Sequence, residues 1–201
     1  MRRLMVAMLG TWLVLAAGTA VADPKDTSER YGAQTYRERV GGVTVLADTF
    51  LASRSEGSAY VPFAVAVGLA LGTRGATITR ESFTLIDADG NRVAAAGAME
   101  IRDRYGRAGF DASLMRVQRM TVGQQFSGDI EVASRFYGGT KELGLVQDRV
   151  HLSPSTWFRD IVYFPRPPAG LEGILTLRIE GGGLETPVDV RFRVLDGEPE
   201  P

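Results

Sequence analysis

Residues 60–71 read YVPFAVAVGLAL, and the interpretation of this stretch decides the fold. Its odd positions, Val61, Phe63, Val65, Val67, Leu69 and Leu71, are all bulky and apolar. Its even positions are Tyr60, Pro62, Ala64, Ala66, Gly68 and Ala70, small after the first two. Alternation of size with period two places the heavy side chains on one side of a pleated strand. A helix would be apolar all round and would carry Pro62 and Gly68, both unfavourable there. The stretch is therefore expected to be a strand. Burying six such side chains contributes roughly 9–18 kcal/mol gross, as an upper estimate. That matches the whole net stability of an ordinary domain, about 5–15 kcal/mol, so the stretch has to lie inside.

The first 22 residues give an address. Arg2 and Arg3 form a positive start, Leu4 to Ala17 is apolar apart from Gly10 and Thr11, and Ala20-Val21-Ala22 is an A-x-A site. This is the pattern of a cleaved secretory signal, with Asp23 as the new N-terminus. The alternative is a retained anchor, for which Leu4–Ala22 is barely long enough. Thr19 stands where a lipoprotein signal needs cysteine, and the arginine pair lacks the flanks of a twin-arginine signal. The expected location is the periplasm or the medium. Cleavage removes two arginines and no acid, moving the formal net charge from −1 to −3. Such a balance argues against nucleic acid as partner, which needs a concentrated positive field. The chain has no cysteine, which excludes thiol catalysis, iron–sulfur clusters and disulfides, and leaves packing to hold the fold. No second apolar run reaches membrane-spanning length.

Residues 23–40 are polar and charged and read as a tether ahead of a domain at 41–196, with 197–201 as a tail. VTVLADTF from Val43, the central stretch, and SFTLI at 82–86 returning through Arg92-Val93-Ala94 read as strands, the last two as a hairpin. So do Val150-His151-Leu152, WFRDIVYF at 157–164, Gly173–Glu180, and the alternating Val188, Val190, Phe192 and Val194. Between about 96 and 147 the strand pattern lapses. Phe110, Leu114 and Val117 fall at helical spacing, with Asp111 placed to cap a short helix running to about Met120. Many short strands punctuated by glycine and proline imply a mainly β chain, an antiparallel β-sandwich with an elaborated middle segment.

The central strand, SFTLIDADGNRV and the later DIVYFPRPPAGLEGILTLRI together resemble the telokin-like, immunoglobulin-like domains of bacterial exported proteins. Phe83, Leu85, Asp87, Gly90, Phe164, Pro165, Leu175 and Leu177 carry the likeness, over about 42–95 and 148–196. The resemblance implies a two-sheet immunoglobulin-like sandwich. It implies no activity, because members of that family share none.

Candidate chemistry is sparse. Asp87-x-Asp89-x-Asn91 is a candidate calcium loop, but Arg92 and Ala98 stand where an EF-hand needs glycine and a bidentate glutamate. Aspartate, glycine and asparagine also stabilise a tight turn, and the turn is the expected reading. His151, the only histidine, lacks partners in sequence and is expected on an outward strand face. No nucleophile elbow or phosphate-binding P-loop is present. Arg102, Arg104, Arg107, Arg116 and Arg119 cluster in the middle segment and suggest a docking surface for an acidic envelope partner. Trp157 and Phe158 point to opposite faces of one strand, so either both faces are covered or an aromatic pair is exposed for binding.

These residues lead to an exported, non-catalytic module acting in protein binding or assembly in the cell envelope, with no cofactor. A hydrolase whose dispersed acids meet only in the fold is one alternative; a carrier of a small apolar ligand between the sheets is the other. The central strand itself is testable. Replacing Val67 by aspartate is expected to abolish cooperative melting, since an unpaired charge in an apolar core outweighs a domain's net stability; a mutant melting like the parent would show that the stretch is not inside.

Overall fold

The computed structural model describes residues 27–117, 124–138 and 146–195. The chain is mainly β, and its strands form open sheets in an arrangement consistent with a β-sandwich. The strands are β1 Glu29–Arg30, β2 Thr35–Val40, β3 Val43–Asp48, β4 Tyr60–Leu69, β5 Ala76–Thr79, β6 Phe83–Ile86, β7 Arg92–Ala94, β8 Ile130–Glu131, β9 Arg149–Leu152, β10 Thr156–Pro165, β11 Leu175–Ile179 and β12 Val188–Phe192. Two helices, α1 Ala98–Arg104 and α2 Ala108–Val117, follow β7. Among the described residues, no helix is long and apolar enough to cross a membrane.

One sheet has the order β1-β2-β3-β4-β10-β8, antiparallel except for the short β10–β8 pair. The second has the order β12-β11-β6-β7, and β5 pairs with β9. β5 and β6 are one strand interrupted by the turn at Arg80–Ser82, because both run beside the same segment. Ile179 pairs with Phe83, the Glu180 N–H donates to the Ser82 carbonyl, and the Thr77 N–H donates to the Gly182 carbonyl. The β5–β9 pair therefore continues the second sheet rather than forming a third.

β4 lies between β3 and β10 and pairs with β10 over ten residues, from Tyr60 opposite Pro165 to Leu69 opposite Thr156. Pro62 is tolerated because β3 begins its pairing only at Ala64, so on that side β4 has no ladder to break. The odd residues of β4 face inward as expected, with Phe63 against Phe164 of its own sheet and Phe192 of the other. Phe158 and Phe83, one from each sheet, both pack edge-on against Phe136. The strand stops at Leu69 rather than Leu71, which is 85% exposed, because the chain turns at Leu71–Gly72 after a last bond from the Ala70 N–H to the Gly42 carbonyl.

Both faces of β4 are buried. The outer face, with Ala64, Ala66 and Gly68, is covered by the segment after β7. Phe126 stacks on Trp157 with ring centroids 4.9 Å apart, and the two close over Leu46 and Ala66. At Gly68 a Cβ would overlap the Phe126 ring, so glycine is what lets that ring lie down. At the other end, Tyr105 after α1 reaches Tyr60 and Tyr163. The alanine and glycine face is a bed for this covering layer.

Residues 28–40 correct the sequence expectation of a tether. β2 pairs with β3 from Thr35 opposite Asp48 to Val40 opposite Val43. Tyr36 is buried against Phe192 and its hydroxyl donates to the Arg193 carbonyl. The strand is disguised because its other face holds Arg37 and Arg39, and Arg37 is held by Glu29, by Gln125 and over the Tyr31 ring. The expected signal segment and the tail beyond residue 195 lie outside the described residues.

The Phe126–Trp157 stack can be read directly, since Trp157 is the only tryptophan after the expected cleavage site. Gly68→Ala should cost about 1–3 kcal/mol by displacing Phe126, and should move the emission of Trp157 to the red. Parent-like melting together with parent-like emission would count against the close approach.

Candidate functional site

The deepest chemistry in the molecule lies where α2 crosses the outer edge of β10. Sequence spacing suggests a helix facing inward through Phe110, Leu114 and Val117 and capped by Asp111. The helix forms, but it starts at Ala108, places Asp111 in its first turn, and leaves Phe110 54% exposed. Leu114 packs on the core as expected, and the residues that join it there are Ala108, Ala112 and Met115, all three of which line the space toward β10. Small residues there leave a cleft of about 190 Å³ above Ile161 and Tyr163, with Asp160 in its wall and Arg116 and Arg135 also lining it.

Asp160 occupies a core parity of β10, between Phe158 and Val162, and is 9% exposed. Its Oδ2 accepts from the Phe136 N–H at 2.8 Å and its Oδ1 from the Ile161 N–H at 2.9 Å. The carboxylate thereby takes the place of a neighbouring strand, holding residues 134–136 against the β10 edge. Burial pushes its pKa up to about 6, and the two N–H groups, the Ser134 hydroxyl and the Arg135 guanidinium keep it from rising further.

A second acid lies nearby. Asp111 is 2% exposed and accepts the Tyr105 hydroxyl at 2.8 Å. Burial raises its pKa, against the hydrogen bond from Tyr105, the charge of Arg107 and a hydrogen bond from Tyr163. Burial likewise raises Tyr105, Tyr137 and Tyr163 far above the ordinary phenol value, so all three remain neutral donors. Tyr137 packs edge-on against Tyr163 at 4.9 Å and donates to the Ala96 carbonyl. With Asp111 tied to tyrosines, Asp160 is the carboxylate lining the cleft.

The sites expected from sequence fall elsewhere. Asp87 accepts from the N–H groups of Asp89 and Asn91, from the Asn91 amide and from the Ala169 N–H. Four N–H donors on one carboxylate describe a turn, not a cradle for calcium. Burial alone would raise the Asp87 pKa, but the hydrogen bonds from Asn91, Ala169 and Asp89 outweigh it and hold the group below its usual value. Asp89 and Asn91 are exposed. His151 lies on the outer face of β9, with Nδ1 3.0 Å from the Thr77 hydroxyl.

The expected partner surface divides in two. Arg102 and Arg104 are exposed on α1, with Arg102 paired to Asp103 at 2.9 Å. Arg107 reaches the Arg54 carbonyl and the Phe110 ring, and Arg116 lines the cleft. Arg119 lies outside the described residues. Trp157 and Phe158 do not belong to a surface at all: they are 5% and 0% exposed, because each face of β10 has its own aromatic cover. Sequence reading missed Asp160, although an aspartate at a core parity inside WFRDIVYF was the signal. Asp111 and Tyr105 could not be paired from sequence, since their meeting depends on how α1 and α2 are joined.

Comparison with protein-family models, curated proteins and solved structures finds no match for the chain.

The raised carboxylates set a pH dependence. Between 3.8 and about 6 the folded chain holds a proton on Asp160 that the unfolded chain has lost. Stability from this group is therefore present at acid pH and lost as pH rises to about 6, by on the order of 3 kcal/mol. Asp48, raised by burial against the Thr35 and Phe50 hydrogen bonds, and Asp111 act in the same direction. Asp87 acts oppositely, below its own unfolded value. Melting temperature is thus expected to peak at about pH 4, and to fall toward pH 6 less steeply in Asp160→Asn than in the parent. Equal slopes would remove Asp160 as the cause.

Proposed function

We propose that the chain is an exported immunoglobulin-like module that binds an acidic protein of the cell envelope through the α1–α2 arm. The immunoglobulin-like assignment is supported by the antiparallel sheets and by the motif residues themselves. Asp87 organises the β6–β7 turn, while Phe83, Leu85, Phe164, Leu175 and Leu177 are fully buried. Export is supported by the residues of the signal pattern.

The observation that carries the binding reading is the composition of the arm's outer surface. Met99 is 63% and Phe110 54% exposed; Arg102, paired with Asp103, follows Met99 by about one turn of α1, Arg104 is exposed on the same helix, and Arg107 lies over the Phe110 ring. Apolar anchors flanked by arginine suit a partial hydrophobic contact oriented by charge, and the matching surface is acidic. A non-catalytic role is favoured because the buried acids have structural duties: Asp87 in a turn, Asp111 with Tyr105, Asp48 with Thr35. Among its described residues the cleft offers a single carboxylate, where acid–base glycoside hydrolysis uses two.

Photo-crosslinking in the native envelope tests this. A photoreactive residue at position 99 or 110 is expected to give discrete adducts that disappear with Arg102→Glu and Arg104→Glu together. The same group at position 71, beyond the far end of the ten-residue β4, should give none of them. No adducts from the arm, or identical adducts from all three positions, would overturn the proposal.

A further inference from the structure

The cleft between α2 and β10 gathers charges of both signs, of which Asp160 alone also ties backbone to the β10 edge. A carboxylate can accept at about four lone-pair positions. Asp160 spends one on the Phe136 N–H and one on the Ile161 N–H, and the Ser134 hydroxyl takes up a third, all neutral donors, which leaves one. A buried carboxylate with acceptor capacity left toward a cavity calls for a cationic or strongly donating guest. Arg116 and Arg135 line the same space, and Arg135 is close enough to act electrostatically on Asp160. Two guanidinium groups repel a simple amine and favour an anionic group. The walls are apolar or aromatic, from Ala112, Ile161 and Tyr163. At about 190 Å³ the space suits a small molecule, since a cavity of about 150 Å³ holds benzene.

We propose that this cleft binds a small α-amino acid, its ammonium on Asp160, its carboxylate on Arg135 and Arg116, and its side chain against Ala112 and Tyr163. Only a guest with both charges satisfies both sets of groups. An amine alone meets two guanidiniums, and a carboxylate alone meets Asp160. The site is separate from the outward surface of Met99 and Phe110, so loss of one function leaves the other.

Thermal melting and calorimetry of the whole mature chain test the inference with L-alanine and L-leucine as probes, and propylamine and propionate as single-charge controls. The amino acids are expected to raise the melting temperature and to give heat of binding, and the controls to give neither. Asp160→Asn and Arg135→Ala should each weaken binding by about tenfold or more, as loss of a charge-assisted contact. Should Asp160→Asn fold poorly, Ala112→Phe fills the cleft from the α2 side with Asp160 intact, and should abolish binding in a folded protein. The inference fails if no amino acid binds the parent, if Ala112→Phe binds as the parent does, or if propylamine binds as well as L-alanine.

Discussion

Ten consecutive residue pairs between β4 and β10 hold the molecule, and both strands are covered on both faces along most of their length. A strand with one wet face has its register set by polarity, because a slip of one residue would expose its apolar set. β4 has no wet face, so size does this work. Val61, Phe63, Val65 and Val67 fill the space between the sheets, while Ala64, Ala66 and Gly68 leave room for a third layer. A slip of one would drive phenylalanine and valine into the narrow side and leave voids in the broad one. Overpacking and cavities each cost a few kcal/mol per site.

That third layer explains why the segment after β7 is so little like the rest of the chain. It has to lie on a flat bed, so apart from the two-residue β8 it uses short helices and single aromatic anchors rather than strands. Tyr105 and Phe126 reach opposite ends of the bed. It also closes the open edge of β10, where a long row of unpaired backbone groups would invite association. The Ala96 N–H donates to the Tyr163 carbonyl, the Ser134 hydroxyl to the Arg159 carbonyl, and the Val132 N–H to the Trp157 carbonyl. On the opposite flank Ser28 bonds both backbone groups of Arg191, tying the start of the first sheet to the β12 edge. With these edges engaged, the helical arm and the cleft remain open to solvent.

The buried acids follow one rule with two outcomes. Asp87 sits at a turn whose N–H groups converge on it, and its charged form is favoured. Asp48, Asp111 and Asp160 are buried with fewer donors, and their charged forms are disfavoured. The balance between desolvation and donor number, rather than burial alone, separates them. Only at Asp160 does the remaining acceptor capacity open onto a cleft, and there recognition of a small molecule becomes chemically sensible.

Patterns with period two were legible wherever one strand carries its own contrast of size or polarity. β3, β4, β6, β9, β10, β11 and β12 stand where the alternation places them, and the Asp87–Asn91 turn is where aspartate and glycine place it. β2 was hidden because Arg37 and Arg39 made it look like solvated chain, and its strand character comes from pairing with β3. The inward face of α2 was read correctly at Leu114 and misjudged at Phe110 for a related reason. Phe110 looked like a core residue, yet the bed beneath the helix is already filled by Ile161 and Tyr163, and alanine fits there better. Local periodicity acts within one segment, so the chain alone carried the β class, most strands and the hairpin turn. Which faces are covered, which edges are closed, and the meeting of Asp160 with Phe136 and α2 depend on residues distant in sequence, and those became definite only when the layers packed.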